Sequence, residues 1–138
     1  MATPVRSGLL VSKLLKPGGA AAGGGADATV TYQSRNEGAA SSGGVSTFTA
    51  QGVGASDHII VGIYGNAGAA RTISSVTIGG VTATLTPVLD AAVRIGYFAC
   101  VARGAIGSTA DIVITWSANV TRSAITVWTA ATLSSTTP

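Results

Sequence analysis

The sequence predicts an all-β protein: an antiparallel β-sandwich (jelly-roll or Ig-like) of seven to eight short strands behind an extended N-terminal arm. Three observations lead there. From residue 28 onward, β-branched and apolar residues alternate with polar ones at a period of two, the pattern of strands with one buried face. Turn-forming Gly, Asn, Ser and Asp break this pattern at short intervals, as in sandwiches and jelly rolls. The charge is divided as well. Arg6, Lys13 and Lys16 precede residue 27 without an acidic partner, whereas Arg35, Arg71, Arg94, Arg103 and Arg122 balance Asp27, Glu37, Asp57, Asp90 and Asp111. The net charge of +3 therefore belongs to the leading segment.

Residues 1–27 read as a basic, Gly/Ala-rich arm. Leu9-Leu10 and Leu14-Leu15 are spaced for a short amphipathic helix that Pro17 ends, and a helix this short is marginal in water without a partner surface. The glycines and alanines of residues 18–25 form a flexible tether. The β pattern then begins with residues 28–34, and residues 45–50 repeat it around Phe48 beyond a turn-rich loop. Residues 58–64 place Ile59, Val61 and Ile63 on one face. Residues 72–78 and 81–86 flank Gly79-Gly80, the signature of a two-residue hairpin whose central residues need positive φ. Pro87 and Asp90 mark the end of that second run. Residues 93–101 are apolar on both faces, as in a central strand. Residues 111–116 align Ile112, Ile114 and Trp116, and residues 123–129 set Ile125 and Val127 opposite Trp128. The sandwich domain thus spans 28–133, and 134–138 is a frayed tail.

Composition narrows the function. Charged residues make up 9 % of the chain and aromatics 5 %, against roughly 25 % charged in ordinary soluble domains. The core must rest on Ile, Val, Leu and Ala, and the surface on Thr, Ser, Ala and Gly, with little charge repulsion to keep copies apart. Cys100 is alone, so no internal disulfide forms, and it packs as a small hydrophobe. The run Leu9 to Val11 is cut by Lys13 before it reaches the length of a signal-peptide core, and no stretch suits a membrane helix. These features indicate synthesis in a cytoplasm without export. Asn119-Val120-Thr121 is then a turn and not a glycosylation site.

No catalytic constellation is visible. His58, the single histidine, adjoins Asp57, but adjacent strand residues point to opposite faces, so Asp57 is badly placed to orient it. The carboxylates are scattered, no G-x-S-x-G elbow accompanies a serine, and one His plus one Cys is too thin a metal set. No cofactor is implied: the glycine tract lacks the Gly-Lys-Ser/Thr ending of a phosphate loop. Nucleic acid is disfavoured despite a pI near 9.5, because the arm's few cations have no aromatic residues interleaved with them. The arm is instead expected to meet protein through Arg6, Leu9, Leu10, Lys13, Leu14, Leu15 and Lys16.

The run SVTIGGVTAT at 75–84, the run TADIVITWS at 109–117 and the closing AITVW at 124–128 resemble a class of small β-sandwich virion proteins of tailed bacteriophages. In that class a VTIGGV hairpin, a DIVVT(W/F)S strand and an AI-x-VW strand recur in this order. The likeness covers roughly residues 28–132 and leaves out the arm. It implies a non-enzymatic virion structural component, foremost a capsid decoration (cement) or accessory protein on the head surface. Its partners would be major capsid or tail proteins and copies of itself, with a trimer expected before a dimer. Two alternatives stand beside this: a tail or fibre component, and a carbohydrate-binding module using Tyr64, Tyr97, Trp116 or Trp128 as a sugar platform. For the two tryptophans, the apolar strands around them favour the core.

Overall fold

The computed structural model describes residues 28–131, apart from 39 and 92. The described chain is a two-sheet antiparallel sandwich of nine strands without a helix. In chain order the strands are β1 (Thr29–Gly38), β2 (Val45–Gly52), β3 (His58–Asn66), β4 (Ile73–Ile78), β5 (Val81–Thr82), β6 (Thr84–Ala91), β7 (Arg94–Ala102), β8 (Thr109–Trp116) and β9 (Arg122–Ala131). One sheet has five strands in the order β1-β9-β3-β7-β6, and the other has four in the order β2-β8-β4-β5. Only β4 to β5 and β6 to β7 stay within a sheet as consecutive neighbours. Every other connection crosses the sandwich, so the two sheets are laced together and neither is a self-contained unit.

The alternation seen in the sequence is what builds the core. Ile59, Val61 and Ile63 of β3 turn inward beside Ile125 and Val127 of β9, and they meet Ile112, Ile114 and Trp116 of β8 from the other sheet. All are nearly or completely buried. Such a core relies on branched aliphatic side chains, whose stiff χ1 suits a pleated surface. Its aromatic members are Phe48 and Trp116. The indole N–H of Trp116 donates to Ser46 Oγ at 3.0 Å, and Ser123 Oγ lies 3.1 Å from the same oxygen. This buried trio spans both sheets, from β2 and β8 to β9, and satisfies a donor that would otherwise be stranded in the interior.

The Gly79-Gly80 hairpin forms as expected, with φ of +56° and +81° and Ile78 paired to Val81. The run after it departs from the expectation of one strand over 81–86. At Ala83, which is buried and donates its N–H to Val76 O at 2.9 Å, the chain leaves the four-stranded sheet. It then pairs with β7 in the five-stranded one, and this division yields the ninth strand. Pro87 does not end the strand either. β6 is a sheet edge, where the missing proline N–H costs nothing to a neighbour, and the register shifts by a bulge between Pro87 and Leu89.

One cation fastens the end of the sandwich where two loops meet. The Arg103 guanidinium donates from Nε to Ser56 O at 2.5 Å, from Nη1 to Ile106 O at 3.2 Å and to Gly107 O at 2.6 Å, and from Nη2 to Val53 O. It thus ties the turn before β3 to the turn after β7. A lysine cannot reproduce this planar fork. We expect Arg103→Lys to cost about 2–3 kcal/mol, since hydrogen bonds from a charged donor are each worth about 1.5–3 kcal/mol. Urea unfolding followed by circular dichroism checks it.

Candidate interaction surface

The two outward faces of the sandwich differ in kind. On the four-stranded sheet the outward positions are mainly Thr and Ser: Thr47, Ser75, Thr77 and Thr115, around Val45 and Val113. On the five-stranded sheet the bulky ones are apolar, interspersed with Thr84, Thr86 and Thr126. The register sets Tyr32 of β1 against Trp128 of β9 and Trp128 against Ile60 of β3, with Cys100 of β7 next in the row. The following row carries Thr126, Gly62 and Phe98, and the next carries Ala124, Tyr64 and Gly96. Val30, Tyr32, Tyr64, Val88 and Phe98 are between 41 % and 61 % exposed.

Glycine and small residues decide the relief of this face. A Cβ on Gly62 would sit 2.9 Å from Trp128 Cζ3 and 3.3 Å from Phe98 Cε1, so only glycine lets both rings lie down on the sheet. The two rings are tilted by 59° with centroids 6.3 Å apart, within the usual range for a favourable aromatic pair. Beside them runs a shallow groove of about 230 Å³, floored by Gly62, Gly96 and Ala124 and walled by Tyr64, Val88 and Phe98. Tyr64 and Ala124 also border a second hollow of about 490 Å³, which reaches Glu37 and Arg122 at the rim. Charged side chains are confined to that rim: Arg35 and Glu37 on edge strand β1, and Arg94 and Arg122 at strand starts. Burial on the apolar row pushes the Cys100 thiol above its ordinary value, as desolvation of a thiolate requires.

The expected aromatic platform is divided by the fold. Trp116 is a core residue, and Tyr97 packs inward against the core. Tyr64 and Trp128 share the open face. Phe98, outside that set and within the run 93–101 that is apolar on both faces, joins them there. β7 is central in its sheet, but one of its faces is bare. The shared parity of Tyr64, Phe98 and Trp128 on adjacent strands was the available signal, and it needed the strand order to be visible.

The remaining candidates are structural in their contacts. His58 Nδ1 is buried and makes no hydrogen bond, while Asp57 is exposed, so no oriented pair forms between them. Asp111 accepts from Ala50 N at 2.8 Å, which holds a β2 bulge where Ala50 has a φ of +50°, and its carbonyl accepts from Gly79 N at 2.9 Å. Asn119 Oδ1 accepts from Gly44 N at 2.6 Å, an internal use of the sequon asparagine. Among the described residues no cluster of His, Cys, Asp and Glu is suited to a metal ion. The expected docking residues Arg6, Leu9, Leu10, Lys13, Leu14, Leu15 and Lys16 lie outside the described residues. No family model, no curated protein and no solved structure matches the chain.

Proposed function

We propose that the chain is a non-enzymatic structural subunit of a bacteriophage virion, a capsid decoration (cement) or accessory protein that docks through its basic N-terminal arm. The observation that carries the assembly reading is the bare aromatic and aliphatic face of the five-stranded sheet. Proteins that work alone in solution rarely leave such a face uncovered. The virion setting rests on the three sequence runs described above, and the head is favoured over the tail or fibre. The arm supplies three cations without acidic partners in its sequence, and two leucine pairs. Deleting residues 1–26 is expected to leave the melting transition in place and to abolish incorporation into particles. Thermal unfolding and quantitative mass spectrometry of purified particles check the two halves. Normal incorporation of the deletion would remove the arm as anchor, and a density map of the particle locates the subunit on head or tail.

A second reading draws on one observation, the sharing of an open face by Tyr64 and Trp128. Exposed rings of this kind are also used to stack sugars. Tryptophan fluorescence titrated with soluble host-surface glycans separates this reading from the first, because Trp116 is buried and Trp128 alone reports on the face.

A further inference from the structure

We infer that the outward face of the five-stranded sheet is a self-association surface, on which a second copy of this chain packs face to face about a two-fold axis. The inference deepens the assembly reading and rests on it. It names the surface and the partner. Four observations support a second copy as the occupant.

The first is area. Five strands at about 4.8 Å spacing and nine residues at about 3.3 Å rise make a face of roughly 700 Å² in plan. A stable interface buries about 800 Å² per partner, so the face is of the size that one protein surface covers. The second is chemistry. Its interior strands carry Trp128, Ile60, Tyr64 and Phe98, its edge strands add Tyr32 and Val88, and its charges stand on edge strand β1 as Arg35 and Glu37 and at strand starts as Arg94 and Arg122. An apolar centre with a charged rim is the anatomy of a protein interface.

The third is relief. With Gly62 beneath them, the Trp128 and Phe98 rings lie low on the sheet. A sheet face with flattened side chains can approach another at the roughly 10 Å separation of packed sheets. The groove of about 230 Å³ is smaller than the roughly 300–1,000 Å³ of small-molecule pockets. Polar groups gather instead at the rim, where Glu37 and Arg122 border the second hollow beside Tyr64. The fourth is contrast within the molecule. The opposite sheet presents Thr47, Ser75, Thr77 and Thr115 around Val45 and Val113 and carries no outward aromatic ring at these positions, a face better suited to water. An isologous contact of one such face per subunit closes at two copies, so it makes a dimer and not the trimer that a lattice position would suggest.

Sedimentation equilibrium of the full chain is the test. The wild-type protein is expected at twice its 13.5 kDa chain mass. Val88→Lys/Phe98→Lys is expected to sediment as a monomer with an unaltered far-ultraviolet spectrum, since both positions are solvent-exposed within one subunit. Thr47→Lys, on the opposite sheet, is expected to remain a dimer. Replacing Leu9, Leu10, Leu14 and Leu15 by serine in the full chain is likewise expected to leave the dimer intact. A wild-type monomer or trimer overturns the inference, and so does a dimer that survives the double lysine variant. Loss of the dimer in the leucine variant would assign the face to the arm. A monomer whose fluorescence responds to glycan would assign it to sugar. A chain that enters particles as a monomer would sink the face-to-face contact and leave the assembly role standing.

Discussion

Trp116→Ala is expected to destabilise the sandwich by about 4 kcal/mol, the middle of the range for truncating a buried aromatic. That lowers the melting temperature by roughly 15–30 °C for a domain of this size and takes up much of the stability such a domain has. The indole is 3 % exposed and fills the space between the sheets. Its ring lies where a Cβ on Gly65 would be, 2.7 Å from Cη2 and 2.8 Å from Cζ3, so β3 cannot move in to fill the void without losing its register with β7 and β9. Ser46 keeps Ser123 as a partner, and the loss is therefore one of packing more than of hydrogen bonding. The converse change, Gly65→Ala, overfills the same contact and is expected to cost about 1–3 kcal/mol. Trp128→Ala is the internal control. Half-buried on the open face, that ring covers Gly62 and part of Phe98, and its removal should cost about 1–2 kcal/mol from lost apolar burial. Calorimetry of the three variants ranks them. Equal losses at Trp116 and Trp128 would mean that the two rings have similar surroundings, contrary to the sandwich described.

The contrast between these tryptophans also marks how far the sequence could be read. Period-two alternation assigns each side chain to one of two faces of its own strand, and on that basis Ile125 and Val127 separate from Trp128, as they do in the fold. It does not say which face of a sheet meets another sheet. Whether Phe98 is buried depends on what lies beyond β7, and that is set by strand order, a long-range property. The hairpin at Gly79-Gly80 was legible because its requirement is local: two residues with positive φ. The crossing at Ala83 was not, since Val81 to Thr86 has one uninterrupted β pattern and the change of sheet is driven by where Val76 and β7 offer partners. In the sequence Arg103 and Asp111 show only as members of a balanced set of charges. Their contacts are with backbone groups of loops distant in sequence, and composition carries no trace of such partners.

Replacing Gly79 and Gly80 together by valine is expected to destabilise the fold by about 3–4 kcal/mol. A left-handed residue with a Cβ costs about 1–2 kcal/mol, and β-branching makes it worse at φ of +56° and +81°. At Gly79 the new side chain also meets Ile106, whose Cγ2 and Cγ1 lie 3.1 and 3.2 Å from the Cβ position. The strain falls on a junction that the fold cannot reroute. Gly79 N donates to Asp111 O at 2.9 Å, which ties the turn to β8. The two residues after the turn bring the chain to Ala83, where it enters the other sheet. Opening the turn thus disturbs both sheets, and yield of folded protein should fall along with stability. Gly80→Asn separates conformation from bulk. Asparagine visits the left-handed region readily, and no heavy atom lies within 4 Å of its Cβ position, so that variant should stay within about 1 kcal/mol of the parent. Urea titration of both variants measures the difference. A double-valine midpoint equal to that of the parent, or an asparagine variant as damaged as the valine one, would show that positive φ at this turn is not what holds β4 to β5.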